Sequence, residues 1–263
     1  METTHMKTVI FCGGKGMRLH EETEFRPKPL IEIGGWPILW HVMRIYAHYG
    51  YRDFILCLGY KGDMIKRYFL DYEAMQNDFT IELGTNSPEF HSSHQEKGWR
   101  VTLANTGMEA NTGARLKRVQ KYIDTDLFMV TYADGVADMN IQWLIDFHRK
   151  HGKTGTITAV RPLSRFGELE LGKDNTVEAF REKAPVEGGY INGGFFVFNH
   201  RIFDYVNDED DCILEREPLV RLSRDGQLAA YVHHDYWHCM DTYRDWEALN
   251  EEWAKSNPGW KIW

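Results

Sequence analysis

The 263 residues contain no run of 18 or more apolar residues, so no segment reads as a membrane-spanning helix. The opening does not read as a secretory leader either: "METTHM" is polar, and Glu2 stands where such a leader would be basic. Residues 1–5 are expected to be an appended remnant, with Met6 the natural start and 6–263 one domain. Cysteine is sparse. Cys12, Cys57, Cys212 and Cys239 form no CxxC pair, and three lie in or beside apolar runs, as buried thiols in a reducing cytoplasm would. Positive charge is in deficit, with a net charge of −8, which argues against non-specific nucleic-acid binding. Neither nucleic acid nor membrane is therefore expected as a partner. An anionic ligand would have to be met by a local cluster of cations. Internal repeats and low-complexity tracts are also lacking. What is present is 43% hydrophobic and 14% aromatic residues, ample for a packed core.

Strand and helix patterns alternate through the first half. "KTVIFC", "DFILCL" at 53–58 and "LFMVTY" at 127–132 are short continuous apolar runs, the pattern of parallel strands covered on both faces. Between them, "WPILWHVMRIYAHYG" repeats apolar residues at helical spacing, with Pro37 in the first turn and Gly50 as the stop. "GARLKRVQKYI" and "IQWLIDFHRKHG" read the same way. The expected fold is α/β: a doubly wound, mostly parallel mixed sheet, with small β insertions. The second half is richer in strands ("GTITAVR", "NTVEAF", "YINGGFFVF", "LAAYVHH") and closes with a helix beginning near Thr242. Residues 84–98 are one long polar insertion, read as a loop joining strands 79–83 and 99–104.

Three glycines and two cations crowd into "FCGGKGMRL", directly after the first strand. The segment lacks the third glycine of GxGxxG and the GK[ST] ending of a Walker A loop. Alone it could be a turn without a ligand. Its place at the carboxyl edge of a parallel sheet is where α/β proteins bind ligands, and successive glycine N–H groups can cradle an anion. Arg18 follows at once, and "RPKPL" adds Arg26 and Lys28. Pro27 and Pro29 are expected to hold the chain extended and rigid around Lys28.

"GGKGMRL" followed by "PKPLIEIGGWPILWH" resembles the signature of sugar-phosphate nucleotidyltransferases, usually GGxGTRL…PKP. The likeness runs nearly the whole chain from Met6. "TGARLKRV", "TYADGVAD", "GGYINGGFFVF", "EREPL" and the closing "WKIW" are similar to the glucose-1-phosphate cytidylyltransferase family. That resemblance implies a Rossmann-like nucleotidyltransferase fold, CTP and a sugar 1-phosphate as substrates, Mg²⁺ as cofactor, and CDP-glucose and pyrophosphate as products. It also implies a cytoplasmic homo-oligomer, a hexamer being one such assembly, with residues 84–98 as a contact loop.

In such a reaction a sugar-1-phosphate oxygen attacks the α-phosphorus of a nucleoside triphosphate. The nucleophile is already anionic, so catalysis is in-line positioning and cancellation of repulsion between two polyanions. The resemblance gives Arg18 and Lys28 to the triphosphate and lays the nucleotide over Gly13, Gly14 and Gly16. The base then meets Thr112, Gly113 and Arg115. Metal ligands should be hard oxygens. Asp134, after an apolar strand in "YADG", and Asp241, in "HCMDTYRDW", match the family's metal aspartates. Asp-Gly is also a common turn pair, and Asp241 could instead cap the last helix. On the sugar side "REKAP" and "YINGGFF" give Lys183 for the sugar phosphate, Glu182 and Asn192 for hydroxyls, and Gly193 for close approach. Arg18, Lys28 and Lys183 form the catalytic set. Ala184 replaces the proline of the family motif.

Met17 stands where the family carries threonine, and a thioether cannot donate to a phosphate oxygen. Either backbone donors suffice and Met17 packs against the nucleotide or the following helix, or the triphosphate grip is weaker. A different nucleotide, UTP or dTTP, another phosphorylated acceptor, and a non-catalytic nucleotide-binding protein are the alternatives. A zinc site is disfavoured: His233 and His234 are neighbours on a strand and face opposite ways.

Overall fold

The computed structural model describes residues 6–85, 87–162, 168–171, 173, 176–181 and 189–263. Seven strands form the central sheet: β1 (Lys7–Phe11), β2 (Asp53–Leu58), β3 (Arg100–Asn105), β4 (Leu127–Tyr132), β5 (Gly155–Val160), β6 (Ile191–Asn199) and β7 (Leu228–Val232). Their order is β7-β5-β6-β4-β1-β2-β3. β6 runs antiparallel to both β4 and β5, and the other pairings are parallel. The chain winds outward from β1 through β2 and β3, then returns to lay β4 on the other side of β1. That reversal opens a crevice at the carboxyl ends of β1 and β4, the place where doubly wound sheets bind ligands.

Period-two alternation divides the strand side chains between two cores. Ile10, Phe54, Leu56, Met129 and Phe195 face α1 (Ile38–His48), α4 (Ile141–His151) and α6 (Tyr243–Trp253). α2 (Gly62–Leu70) adds Ile65 to that face. Val9, Phe11, Ile55, Val130 and Phe196 face α3 (Thr112–Arg118) and α5 (Glu217–Arg224). Strands covered on both sides explain the unbroken apolar runs of the sequence. Among the described residues no helix is long and apolar enough to cross a membrane.

Three local expectations differ from the structure. The insertion at 84–98 is not one loop: Pro88–Phe90 folds back on Phe79–Ile81 as an antiparallel ribbon outside the main sheet. "NTVEAF" gives Val177–Arg181, which pairs with Glu168–Leu171 rather than joining the seven strands. Around Lys28 the chain is extended at Pro27 and again at Ile31, but Lys28–Leu30 between them is one 3₁₀ turn closed by Ile31 N–H to Lys28 O. Proline's fixed φ suits a 3₁₀ turn as well as an extended chain, so the rigidity stands while the shape differs.

Candidate active site

Backbone geometry at the end of β1 prepares the cleft. Gly16 adopts φ +63° and turns the chain into the Met17–Leu19 turn, closed by Leu19 N–H to Gly16 O at 3.0 Å. No neighbouring atom lies within 4 Å of where a Cβ on Gly14 would sit, so its backbone fronts open space. The cleft, about 340 Å³, is floored by Cys12, Gly13 and Gly14 on one side and by Tyr132, Ala133 and Asp134 on the other. Its volume is in the range of small-molecule sites.

Two aspartates separated by 107 positions in sequence converge on one ammonium. Lys28 Nζ donates to Asp134 Oδ2 at 2.6 Å and to Asp241 Oδ1 at 2.8 Å. Arg18 adds a second cation to Asp241 at 2.9 Å. Burial pulls the Lys28 ammonium's pKa down, but the two carboxylates more than offset it and the net shift is upward. For Asp241, burial pushes upward, and Lys28 and Arg18 pull it further down, below the usual carboxylate range. The cap question has a direct answer. Thr242 caps α6 in a capping box with Asp245, and Asp245 Oδ2 also takes the Asp241 N–H, so the Asp241 side chain is left to face Lys28.

Arg18, Lys28, Thr112, Arg115, Asp134 and Asp241 all line the cleft, with Gly13, Gly14 and Gly16. The Arg115 guanidinium, however, is spent on the protein itself. It donates to the carbonyls of Gly13, Leu58 and Gly107 and to the Thr106 hydroxyl. A Cβ on Gly13 would fall 2.2 Å from Arg115 Nη1, which is why the loop needs glycine there. Gly113 lies against Cys212, 2.5 Å from its Sγ to a built Cβ, rather than on the cleft wall. Met17 is 78% exposed at the cleft rim.

A smaller cavity of about 40 Å³ adjoins the first through Tyr132 and Asp134, and Asn192 and Gly193 line it. Gly193 O accepts from Trp237 Nε1 at 2.7 Å. Glu182 and Lys183 lie outside the described residues. Cys239 also lines this cavity. Burial and then Asp241 push its thiol up to about 12, so it stays protonated beside the carboxylates. His233, set aside above as a zinc ligand, pairs with Asp138, and three other histidines also have partners of their own: His238 with Asp245, His91 with Thr80 and His94 with Glu73.

Sequence reasoning missed Tyr132 and Glu215. Tyr132 ends the apolar run that precedes Asp134, and Glu215 opens the quoted "EREPL". Neither has a local signal, because each acquires its role from residues 60 to 103 positions away.

A crevice at the switch point, a glycine loop, and cations facing paired carboxylates describe a protein that handles phosphate esters. The chain belongs to the nucleotidyl transferase family, whose sequence profile matches residues 7–254. Within that family it is 47% identical over 259 residues to the glucose-1-phosphate cytidylyltransferase of Salmonella typhimurium, covering 98% of this chain and all of that one. It is 43% identical to the probable glucose-1-phosphate cytidylyltransferase of Bacillus subtilis, again over 98% of this chain and all of the relative. Among solved structures, HddC from Yersinia pseudotuberculosis superposes with a TM-score of 0.67 at 23% identity, over 94% of this chain and 99% of that one. A putative glucose-1-phosphate thymidylyltransferase from Bacillus anthracis gives 0.67 at 16% identity, over 96% of each chain. At those identities the superpositions establish the fold alone.

Proposed function

We propose that this chain is a glucose-1-phosphate cytidylyltransferase, making CDP-glucose and pyrophosphate from CTP and α-D-glucose 1-phosphate. The observation that carries the reading is the 47% identity over essentially the whole of both chains. A phosphate oxygen of the sugar 1-phosphate forms the new bond to the α-phosphorus, and the bond from that phosphorus to the β-bridging oxygen breaks. Gly13, Gly14 and Gly16 offer backbone room and donors to the triphosphate, and Arg18 and Lys28 supply its positive charge. These two cations rest on the carboxylates of Asp134 and Asp241, so a bound triphosphate competes with the protein for them. Asn192 and Gly193 border the sugar, with Glu182 and Lys183 completing that side by resemblance.

The donor set fits Mg²⁺: two hard carboxylates close enough to share one ammonium can share one small cation. Asp134 and Asp241 would hold it, and when bound it neutralises charge developing on the phosphates. A cytoplasmic location accords with four free thiols. Assembly as a homo-oligomer accords with the exposed apolar residues of the outlying ribbon, Phe79, Ile81, Leu83 and Phe90. The deciding experiment is pyrophosphate release across CTP, UTP, dTTP, ATP and GTP with glucose 1-phosphate and Mg²⁺. CTP should give the highest kcat/KM, and equal or better use of dTTP would refute the cytidylyl assignment.

A further inference from the structure

Between the nucleotide wall and the sugar wall runs a chain of hydrogen bonds whose direction is dictated by one carboxylate. Glu215 sits just before α5 and has no cation partner among the described residues. Thr112 Oγ1, at the start of α3 on the cleft wall, donates to Glu215 Oε2 at 2.6 Å and accepts from Leu214 N–H at 2.9 Å. Tyr132 Oη donates to Glu215 Oε1. Asn192 Nδ2 donates to Tyr132 Oη at 3.2 Å, and Asn192 Oδ1 accepts from Gly194 N–H at 2.8 Å.

An ionised carboxylate can only accept, a phenol has one proton to give, and an amide nitrogen can only donate. With Glu215 ionised, the Tyr132 proton has one destination, and the phenol oxygen is left as acceptor toward Asn192. The polarity of every bond from Thr112 to Asn192 follows. The Tyr132 ring cannot turn away from this arrangement. It packs against Phe11 and edge-on to Phe196, and Gly194, at φ +85°, leaves room for it by lacking a Cβ, which would stand 2.7 Å from the ring.

We propose that Glu215 is a positioning residue for the sugar-phosphate side: through the Tyr132 hydroxyl it fixes the Asn192 amide so that Asn192 meets the sugar as a donor. The inference rests on the cytidylyltransferase reading for the identity of that ligand. Tyr132 and Asn192 both line the smaller cavity, and Thr112 and Tyr132 line the larger one, so the chain of bonds spans both walls.

Glu215→Gln tests this with almost no change of shape. The Thr112 oxygen is already committed to Leu214 N–H, so its proton takes the glutamine oxygen and the glutamine NH₂ then faces Tyr132. The Tyr132 oxygen receives that donor, its own proton turns toward the Asn192 NH₂, and two donors oppose each other. Losing one such bond predicts a rise of about tenfold in KM for glucose 1-phosphate. kcat should stay within about threefold, and CTP affinity by titration within about twofold. Tyr132→Phe removes the hydroxyl and with it the conflict, so Glu215→Gln/Tyr132→Phe should be no worse than Tyr132→Phe alone. The double-mutant cycle therefore reads a large coupling. Additive effects, or a rise in sugar-phosphate KM matched by an equal loss of CTP affinity and of Tm, would show that Glu215 is a structural brace and overturn the proposal. A KM within twofold of wild type would overturn it as well. Wild-type turnover of CTP with glucose 1-phosphate, run alongside, tests the cytidylyltransferase reading separately.

Discussion

In the cleft, charge is concentrated and matched: Lys28 is 14% exposed, and both carboxylates it touches also belong to the cavity wall. On the Phe79–Ile81 and Pro88–Phe90 ribbon the situation is reversed. Leu83 is 87% exposed and Phe79, Ile81 and Phe90 about 40%, on a two-stranded element that the main sheet does not support. Isolated two-stranded hairpins are marginal in water. The cleft is thus organised by pairing inside the chain, whereas the ribbon leaves apolar side chains exposed, and in the homo-oligomer proposed above a second copy would cover them. Chemistry and assembly should accordingly be separable by mutation.

The largest expected effect is in the cleft. Asp134→Asn and Asp241→Asn should each lower kcat on the order of 10²-fold or more, because each would remove a carboxylate ligand from the proposed Mg²⁺ site. Tm should fall only modestly for Asp241→Asn, since Thr242 and Asp245 carry the cap and what is lost is the ion pairing to Lys28 and Arg18. Circular-dichroism melts alongside turnover check both statements. An early melt with normal turnover would move Asp241 to the structural side.

On the ribbon, Phe79→Ser/Leu83→Ser/Phe90→Ser should reduce the mass seen by light scattering by a whole-number factor. kcat per subunit should change less than about twofold, as expected for residues remote from the reacting groups. A tenfold loss of kcat would break the separation.

Acid should divide the molecule differently. His41 is locked neutral, with Nε2 at 2.9 Å from the Ile33 carbonyl and Nδ1 accepting from Trp260, and burial lowers its pKa to about 4. His148 lies against Thr156 and is likewise lowered by burial to about 4. The unfolded chain therefore binds more protons below pH 6.5. Their contribution is complete above that value and is lost as pH falls toward 4, on the order of 1–3 kcal/mol for each. Asp241, depressed instead, contributes above the usual carboxylate range and loses that only at lower pH, so the core weakens before the cleft. Urea unfolding from pH 7.5 to 4.5 measures the slope, and His148→Gln should flatten it.

Met17→Thr is the smallest change. Regaining one hydrogen bond to a charged phosphate would tighten CTP by about tenfold at most. With Arg18, Lys28 and the loop N–H groups facing the same phosphates, and Met17 exposed at the rim where a nucleotide would cover it, affinity should stay level or fall. Titration of CTP into both proteins under one Mg²⁺ and salt condition decides it.

Much of this was legible because it was written locally. The apolar run into glycines gave β1 and its loop. Asp134 followed from the strand before it, and Thr242 announced α6. The hidden parts depend on distant partners. The resemblance sets Arg115 beside the base, but its guanidinium turns to three carbonyls and the Thr106 hydroxyl. Pro88–Phe90 is a strand only because Phe79–Ile81 lies opposite. Glu215 acquires meaning from Thr112 and Tyr132. Lys28 lines the cleft, while its turn depends on which of two φ-compatible shapes the surroundings select.

Arg115 has a further consequence, for how this sequence can change over generations. Its guanidinium fills the space that a side chain on Gly13 or on Gly59 would need, with built Cβ atoms 2.2 and 2.6 Å from Nη1. Lysine would keep the charge but not the planar fork that holds three chain segments together. Positions 13, 59 and 115 therefore form one inherited unit. A larger residue at either glycine is viable only in a lineage that has already given up the arginine, and losing the arginine first unties the glycine loop at the end of β1. Drift at these three places should be rare and, where found, simultaneous.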